Sequence, residues 1–252
     1  MKKTISEIFD FERISIHEAS HGLVEYVLGF PITAIRVNPL EGYGECPYDE
    51  PDTEPGIPQS RGIPETDRRI MIYCAGNAGE FIWVGTKKCW RRTPDYRYAA
   101  DLLAPVSENR AEIRAYIELM WIRTVNLLRK PRNWWAVQKL ADSLRLCPME
   151  PDRESCWYGA DMADELPDEF WEREPGLRDM DGETAQNVIG DALIEYTQIN
   201  NFINRMLKLG MTDEEIAEVL PHYIKSNHIS DVSLSDQTNM INEARVKSPM
   251  AK

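Results

Sequence analysis

The chain has 252 residues, of which 42% are hydrophobic, and a formal net charge of −13. That length allows one sizeable hydrophobic core and a second small unit. No apolar run approaches the roughly 20 residues that cross a bilayer, and the N-terminal sequence MKKTISEIFDFERIS lacks the apolar stretch of a signal peptide. We therefore expect a soluble, cytoplasmic protein with no membrane partner.

The negative charge is concentrated in residues 150–183. This segment carries 13 acidic and 3 basic side chains, whereas residues 1–149 carry 20 of each. A run of like charge repels nucleic acid and is typical of a solvated linker or a surface that faces a partner. We therefore interpret 150–183 as an acidic linker between an N-terminal domain, 1–149, and a helical C-terminal segment, 184–252, with a loose tail after Ser230.

The five cysteines are scattered along the chain, and none forms a C-x-x-C pair. An odd and dispersed set argues against a disulfide framework and against a cysteine zinc site. We expect free structural thiols.

Hydrophobic periodicity and the positions of Gly and Pro predict a mostly helical chain with a small sheet. A short strand, ITAIRV, follows the first helix, and GYGECPY is a candidate edge strand because Gly and Pro are poorly tolerated in a central one. The predicted helices are 11–28, 65–84, 95–103, 107–128, 132–146, 183–209 and 212–226. The second of them should pack closely through its small residues, Ala75, Gly76, Ala78 and Gly79.

The first predicted helix contains the pattern H-E-x-x-H in the letters HEASH. His17 and His21 are four residues apart, so both imidazoles project from the same side of a helix. Neutral imidazoles bind zinc through nitrogen, and a catalytic zinc site keeps one position open for water. Glu18 is placed to take the proton of that water as the water attacks a peptide carbonyl. The alternative is a chance match on an ordinary helix.

A catalytic zinc site needs a third protein ligand. The motif has no HExxHxxGxxH continuation, and the remaining histidines, His222 and His228, are expected at the surface of the C-terminal segment. A carboxylate is therefore expected. Glu80 on the second helix and Asp95 at the start of the third both qualify, and the residues alone leave the choice open.

Three sequence blocks, in this order, resemble the FtsH family of ATP-dependent zinc metalloproteases. HEASHGLVEYVLGFPITAIRVNP is similar to the family's HEAGHALVxxxLxxxxPVxKVTIxP, and YCAGNAGEFIWVG to its GGRxAEExxxG helix. TPDYRYAADLLA is similar to its SNDxxxATxLA segment. The resemblance covers about residues 12–145.

This resemblance implies a mainly α (α+β) fold, a helical zincin-like HExxH peptidase domain with a small β-sheet. It implies that His17, His21 and Asp95 bind Zn²⁺ and that Glu18 is the catalytic base. Glu80 would then orient a ligand from outside the coordination sphere. The family's edge strand pairs with an extended substrate, a role that GYGECPY would take by β-strand addition.

The chain also departs from the family pattern. No G-x-x-x-x-G-K-[ST] phosphate loop occurs in this sequence, and we therefore expect the family's ATPase domain and membrane anchor to be missing. Asn77 stands where the family usually carries Arg, and Gly79 where it carries Ala. We therefore expect an ATP-independent zinc endopeptidase that acts on unfolded or extended polypeptide, with a separate ATPase or adaptor protein as a further partner.

Two rival functions come from other classes of protein. The first is an inactive peptidase fold that serves as a regulatory or interaction module, which retention of Glu18 beside two histidines disfavours. The second is a DNA-binding regulator, suggested by the Thr-x-x-Glu capping box in GMTDEEIAEVL. The acidic residues around that box would repel the phosphates of DNA, so nucleic acid is not an expected partner.

Overall fold

The computed structural model describes residues 5–38, 43–45, 63–85, 90–147, 149–150, 177–227, 229 and 232–247. The chain forms two compact units, Met1–Ile189 and Gly190–Lys252. The described helices are α1 (Ile5–Leu28), α2 (Glu65–Val84), α3 (Pro94–Leu103), α4 (Arg110–Leu128), α5 (Pro131–Leu146), α6 (Gly182–Lys208), α7 (Asp213–Ser226) and α8 (Leu234–Lys247), with a 3-10 turn at Trp90–Arg92. The described strands are β1 (Ala34–Asn38), β2 (Tyr43–Glu45), β3 (Met149–Glu150) and β4 (Leu177–Asp181). The expectation of a mainly helical fold with a small sheet is confirmed.

Helix α1 lies at the centre of the first unit, where it packs against α2, α5 and β1. Leu23 and Val24 on this helix are fully buried. α2 packs in turn on α4, and the carboxylate of Asp67 in its first turn accepts hydrogen bonds from Tyr116 and Arg123 of α4. Because other elements pack around α1, the backbone that carries the H-E-x-x-H motif has a fixed position in this unit.

The four strands form one antiparallel sheet in the order β2-β1-β4-β3. In the register of β1 with its neighbours, Asn38 pairs with Tyr43 of β2 and Ala34 with Asp181 of β4. Among the described strands, β2 therefore lies at an edge of the sheet, as predicted for the start of GYGECPY. The rest of that stretch lies outside the described residues.

The interpretation of residues 150–183 as a linker throughout is wrong at its C-terminal end, because β4 forms there and pairs with β1. Three of the five residues in LRDMD are charged, and this hid the strand. Met180 is buried, while Asp179 pairs with Arg36 across the sheet at 3.3 Å. The guanidinium of Arg178 lies 5.4 Å from the centre of the Phe11 ring. Most of the acidic segment lies outside the described residues.

The second unit contains most of α6 and all of α7 and α8. The predicted capping box forms at the start of α7, where Thr212 and Glu215 each accept a hydrogen bond from the other's backbone N–H. The expectation of a loose tail after Ser230 is wrong, because Leu234–Lys247 is a helix that packs on α7. Its buried residues are spaced at helical intervals: Gln237, Met240, Ile241 and Ala244.

No helix in the described part of the chain combines the length and the apolar character needed to cross a bilayer. His222, on α7, is exposed, as predicted; His228 lies outside the described residues.

Candidate metal centre

Helix α1 presents both histidines of the HEASH motif on one side. The ring centroids of His17 and His21 are 5.0 Å apart, as the four-residue spacing on a helix requires. His21 is buried and His17 is half-buried. Glu18, between them, is only 4% exposed, and its charge is close enough to favour the protonated form of His17.

Two glycines allow α2 to approach this motif closely. A Cβ atom on Gly76 would lie 2.1 Å from Nε2 of His17, and one on Gly79 would lie 2.0 Å from Oγ of Ser20. A side chain at either position would force the neighbouring His17 or Ser20 to move, so glycine permits this close approach. The predicted close packing through small residues is therefore present, and at Gly76 it occurs directly against a histidine ring.

Asp95 reaches the two histidines from α3. This helix starts at Pro94, where the missing N–H of proline costs nothing, and Thr93 is its N-cap. Oδ2 of Asp95 lies 3.4 Å from Nε2 of His17 and 4.0 Å from Nε2 of His21. One ligand atom from each of the three residues lies within 4.8 Å of the others. His17, His21 and Asp95 could therefore hold a metal ion.

The other candidate carboxylate, Glu80, contacts the opposite nitrogen of His17. Its Oε1 atom lies 2.8 Å from Nδ1 of His17 and accepts a second hydrogen bond from Arg13 at 2.9 Å. Burial opposes the charge on Glu80, but the bonds from His17 and Arg13 outweigh it and keep its pKa low. An ionised carboxylate only accepts, so Nδ1 of His17 must donate and Nε2 is the atom left for a metal.

His21 also has a partner on α2, because its ring forms a hydrogen bond with the backbone of Ile72. Histidines that bind metals almost always use their second ring nitrogen in this way, which fixes the ring's orientation and tautomer. Both histidines thus have a hydrogen-bond partner on α2, which is Glu80 for His17 and the Ile72 backbone for His21. This donor set and its outer partners fit a divalent metal such as Zn²⁺.

The two histidines differ strongly in basicity when no metal is bound. Burial alone would lower the pKa of His17, but its hydrogen bonds with Asp95 and Glu80 outweigh that effect and raise the pKa to about 10. Burial lowers the pKa of His21 to about 4. For Asp95, burial is outweighed by the two histidines and Asn77, which lower its pKa. The site is therefore a cationic imidazole beside a neutral imidazole and a carboxylate.

The position of α3 depends on an aromatic cluster formed by Phe81, Trp90, Tyr96 and Trp121. The Trp90 ring is buried, lies edge-on to Tyr96 with centroids 4.9 Å apart, and stacks on Trp121 at 6.3 Å. Trp121 contacts Phe81 of α2 at 5.2 Å. The cluster joins α2, α3 and α4, so it holds the start of α3, and with it Asp95, against the rest of the unit.

Sequence reasoning missed Asn77 as part of this site. Its Nδ2 atom donates to Oδ2 of Asp95 at 2.9 Å. The contact joins two helices and leaves no trace in local spacing. One signal was available, because Asn77 and Glu80 are three residues apart and so project from the same side of α2.

No family model and no curated protein sequence matches the chain. The assignment of a metal centre therefore rests on the geometry of the chain's own residues.

Proposed function

We propose that the chain is a zinc-dependent endopeptidase that acts on unfolded or extended polypeptide without ATP. The observation that carries the proposal is the convergence of His17, His21 and Asp95, with the carboxylate Glu18 buried between the two histidines on the same helix. This donor set matches catalytic zinc sites, which use three protein ligands of nitrogen and oxygen type.

Bound zinc would act as a Lewis acid that lowers the pKa of a water molecule in its open position. Glu18 would accept the proton of that water as it attacks the peptide carbonyl and would pass it to the leaving amine. Glu80 and Arg13 have no part in proton transfer. They fix the ring of His17, with Glu80 as the acceptor of its Nδ1–H and Arg13 bonded to the same carboxylate oxygen.

The substrate would be held in an extended conformation. In the sheet that the described residues form, β2 is an edge strand beside β1. An edge strand offers unpaired backbone groups to which a polypeptide can add as a further strand. The resemblance in sequence assigns this stretch the same role. A cytoplasmic location, a polypeptide substrate and a separate ATPase or adaptor that delivers it are parts of the same proposal.

Cleavage of an unfolded, casein-like protein by the wild type and by Glu18→Gln tests this function. We expect the wild type to cleave and a chelator to stop it, while Glu18→Gln retains zinc and loses cleavage. Glu12→Gln, which changes a partly exposed carboxylate on the same helix, is the matched control and should remain active. A wild type that holds zinc but cleaves nothing would favour the rival interaction module.

A further inference from the structure

The third candidate ligand belongs to a different helix from the two histidines, so something must fix its orientation. Asp95 lies in the first turn of α3, a helix of 10 residues, and 19% of its side chain is exposed. An aspartate side chain in such a position has several accessible rotamers. Only some of them direct Oδ2 at His17 and His21.

Asn77 supplies a donor that selects among those orientations. Its Nδ2 atom lies 2.9 Å from Oδ2 of Asp95, the same oxygen that faces the two histidines. A carboxylate only accepts hydrogen bonds, so the nitrogen end of the amide must face it. The amide carries no charge that titrates and its nitrogen does not bind metal ions, so Asn77 can hold this oxygen without competing for it.

The second N–H of the same amide is directed at Thr93. Nδ2 of Asn77 lies 3.5 Å from Oγ1 of Thr93, at the long limit of a hydrogen bond. The Thr93 hydroxyl donates its own proton to the carbonyl of Trp90 at 2.7 Å, so its oxygen acts as an acceptor, both for Asn77 and, at 3.4 Å, for the backbone N–H of Tyr96. Asn77 thus contacts both the N-cap of α3 and the carboxylate in its first turn.

Asn77 belongs to the helix that also fixes the histidines. Gly76 lies against the ring of His17, and Glu80 accepts from its Nδ1. α2 therefore carries, within five consecutive residues, the contacts that set His17 on one side and Asp95 on the other. We propose that Asn77 is a positioning residue, which holds the Asp95 carboxylate for metal binding. This inference rests on the proposed metal site and deepens it.

The test compares zinc affinity in variants at two asparagines. Asn77→Ala removes the amide, and Asn77→Leu removes the donor while keeping a side chain of similar size. Asn133→Ala is the matched control, since Nδ2 of that buried residue donates to the Leu127 carbonyl at 2.8 Å, across the connection between α4 and α5. Zinc affinity is measured by competition with a chromogenic chelator, and the melting temperature of each metal-free variant reports its stability.

We expect both Asn77 variants to bind zinc about 10–100-fold more weakly than the wild type, the usual cost of removing an outer partner of a ligand. Asn133→Ala should lower the melting temperature and leave zinc affinity unchanged. The absorption bands of bound Co²⁺ should shift in the Asn77 variants only, because they respond to ligand geometry and not to global stability.

Two results would overturn the inference while leaving the metal site intact. One is zinc affinity within about twofold of the wild type in both Asn77 variants, since outer partners normally contribute more than this. The other is an equal loss of affinity in Asn133→Ala, which would assign the effect to stability. A wild type that binds no zinc would instead overturn the metal site itself, and the inference with it.

Discussion

Nδ1 of His17 donates a hydrogen bond to Oε1 of Glu80, at 2.8 Å across 63 residues of sequence. On the other side of the ring, Nε2 lies 3.4 Å from Oδ2 of Asp95. The imidazole is therefore placed between two carboxylates. Without a metal it keeps a proton on each nitrogen, and a metal ion would take the place of the proton on Nε2.

This exchange predicts a pH dependence of metal binding. The pKa of His17 is raised to about 10 in the metal-free protein, so the residue is protonated at neutral pH and must lose one proton to bind a metal. His21 has its pKa lowered to about 4 and is already neutral. Zinc affinity should therefore rise with pH, since a higher pH removes the proton that competes with the metal for His17.

We expect zinc affinity to rise about tenfold per pH unit from about pH 6.5 to pH 9, with release of about one proton per ion. Calorimetric titration in two buffers of different ionisation enthalpy measures that release. A flat affinity over this range, with no proton released, would contradict the placement of His17 between the two carboxylates.

The stoichiometry of the site gives a second prediction. The purified protein should hold one zinc ion per chain, and His17→Ala or His21→Ala should abolish retention, because two ligands do not form a catalytic zinc site. Metal analysis by mass spectrometry measures this. His222→Ala, at an exposed histidine of α7, is the control and should retain the full complement. Full zinc in the double variant at His17 and His21 would refute the assignment.

A third prediction separates the two acidic candidates. Asp95→Asn should reduce zinc affinity far more than Glu80→Gln, because Asp95 lies by the Nε2 atoms of both histidines whereas Glu80 contacts Nδ1 of His17. Loss of an outer partner typically costs about 10–100-fold, and we expect this range for Glu80→Gln. Competition titrations compare the two variants. The reverse order would identify Glu80 as the ligand.

The close approach of α2 gives a fourth prediction. Gly76→Ala would place a methyl group against the ring of His17. We expect the ring to move, so that zinc affinity falls at least tenfold, and we expect the overpacking to lower the stability of the fold by about 1–3 kcal/mol. Gly79→Ala meets Ser20 instead. It should lower stability to a similar extent and retain zinc affinity. Equal zinc affinity in the two variants would show that Gly76 does not govern the position of His17.

What could be predicted from sequence was mainly what local spacing determines. The interval between His17 and His21 fixes a shared helix face, and the bounds of the second helix, 65–84, match α2 at both ends. The edge position of β2 could also be predicted from the sequence, because a segment rich in glycine and proline is poorly tolerated as a central strand.

Contacts between distant elements could not be predicted from local spacing in the sequence. Glu80 and Asp95 are equivalent as carboxylates. Only the packing of α2 on α1, and of α3 on α2, places Glu80 at Nδ1 of His17 and Asp95 at Nε2. Asn77 acquires its partner through the approach of α2 to α3. β4 was hidden because its charged side chains find partners only once the sheet has formed, as Asp179 does with Arg36.

The last prediction concerns what the proposed enzyme can cleave. An edge strand captures only a backbone that is already extended, and the chain has no phosphate loop with which to drive unfolding of a folded domain. We expect rapid cleavage of unfolded casein, no cleavage of a stably folded domain, and no effect of ATP on either. Attaching an unstructured tail to the folded domain should restore cleavage within the tail alone. Electrophoresis and mass spectrometry of the products locate each cut, with Glu18→Gln as the inactive control. Cuts within the folded domain at the same rate as within the tail would refute recognition through an extended backbone.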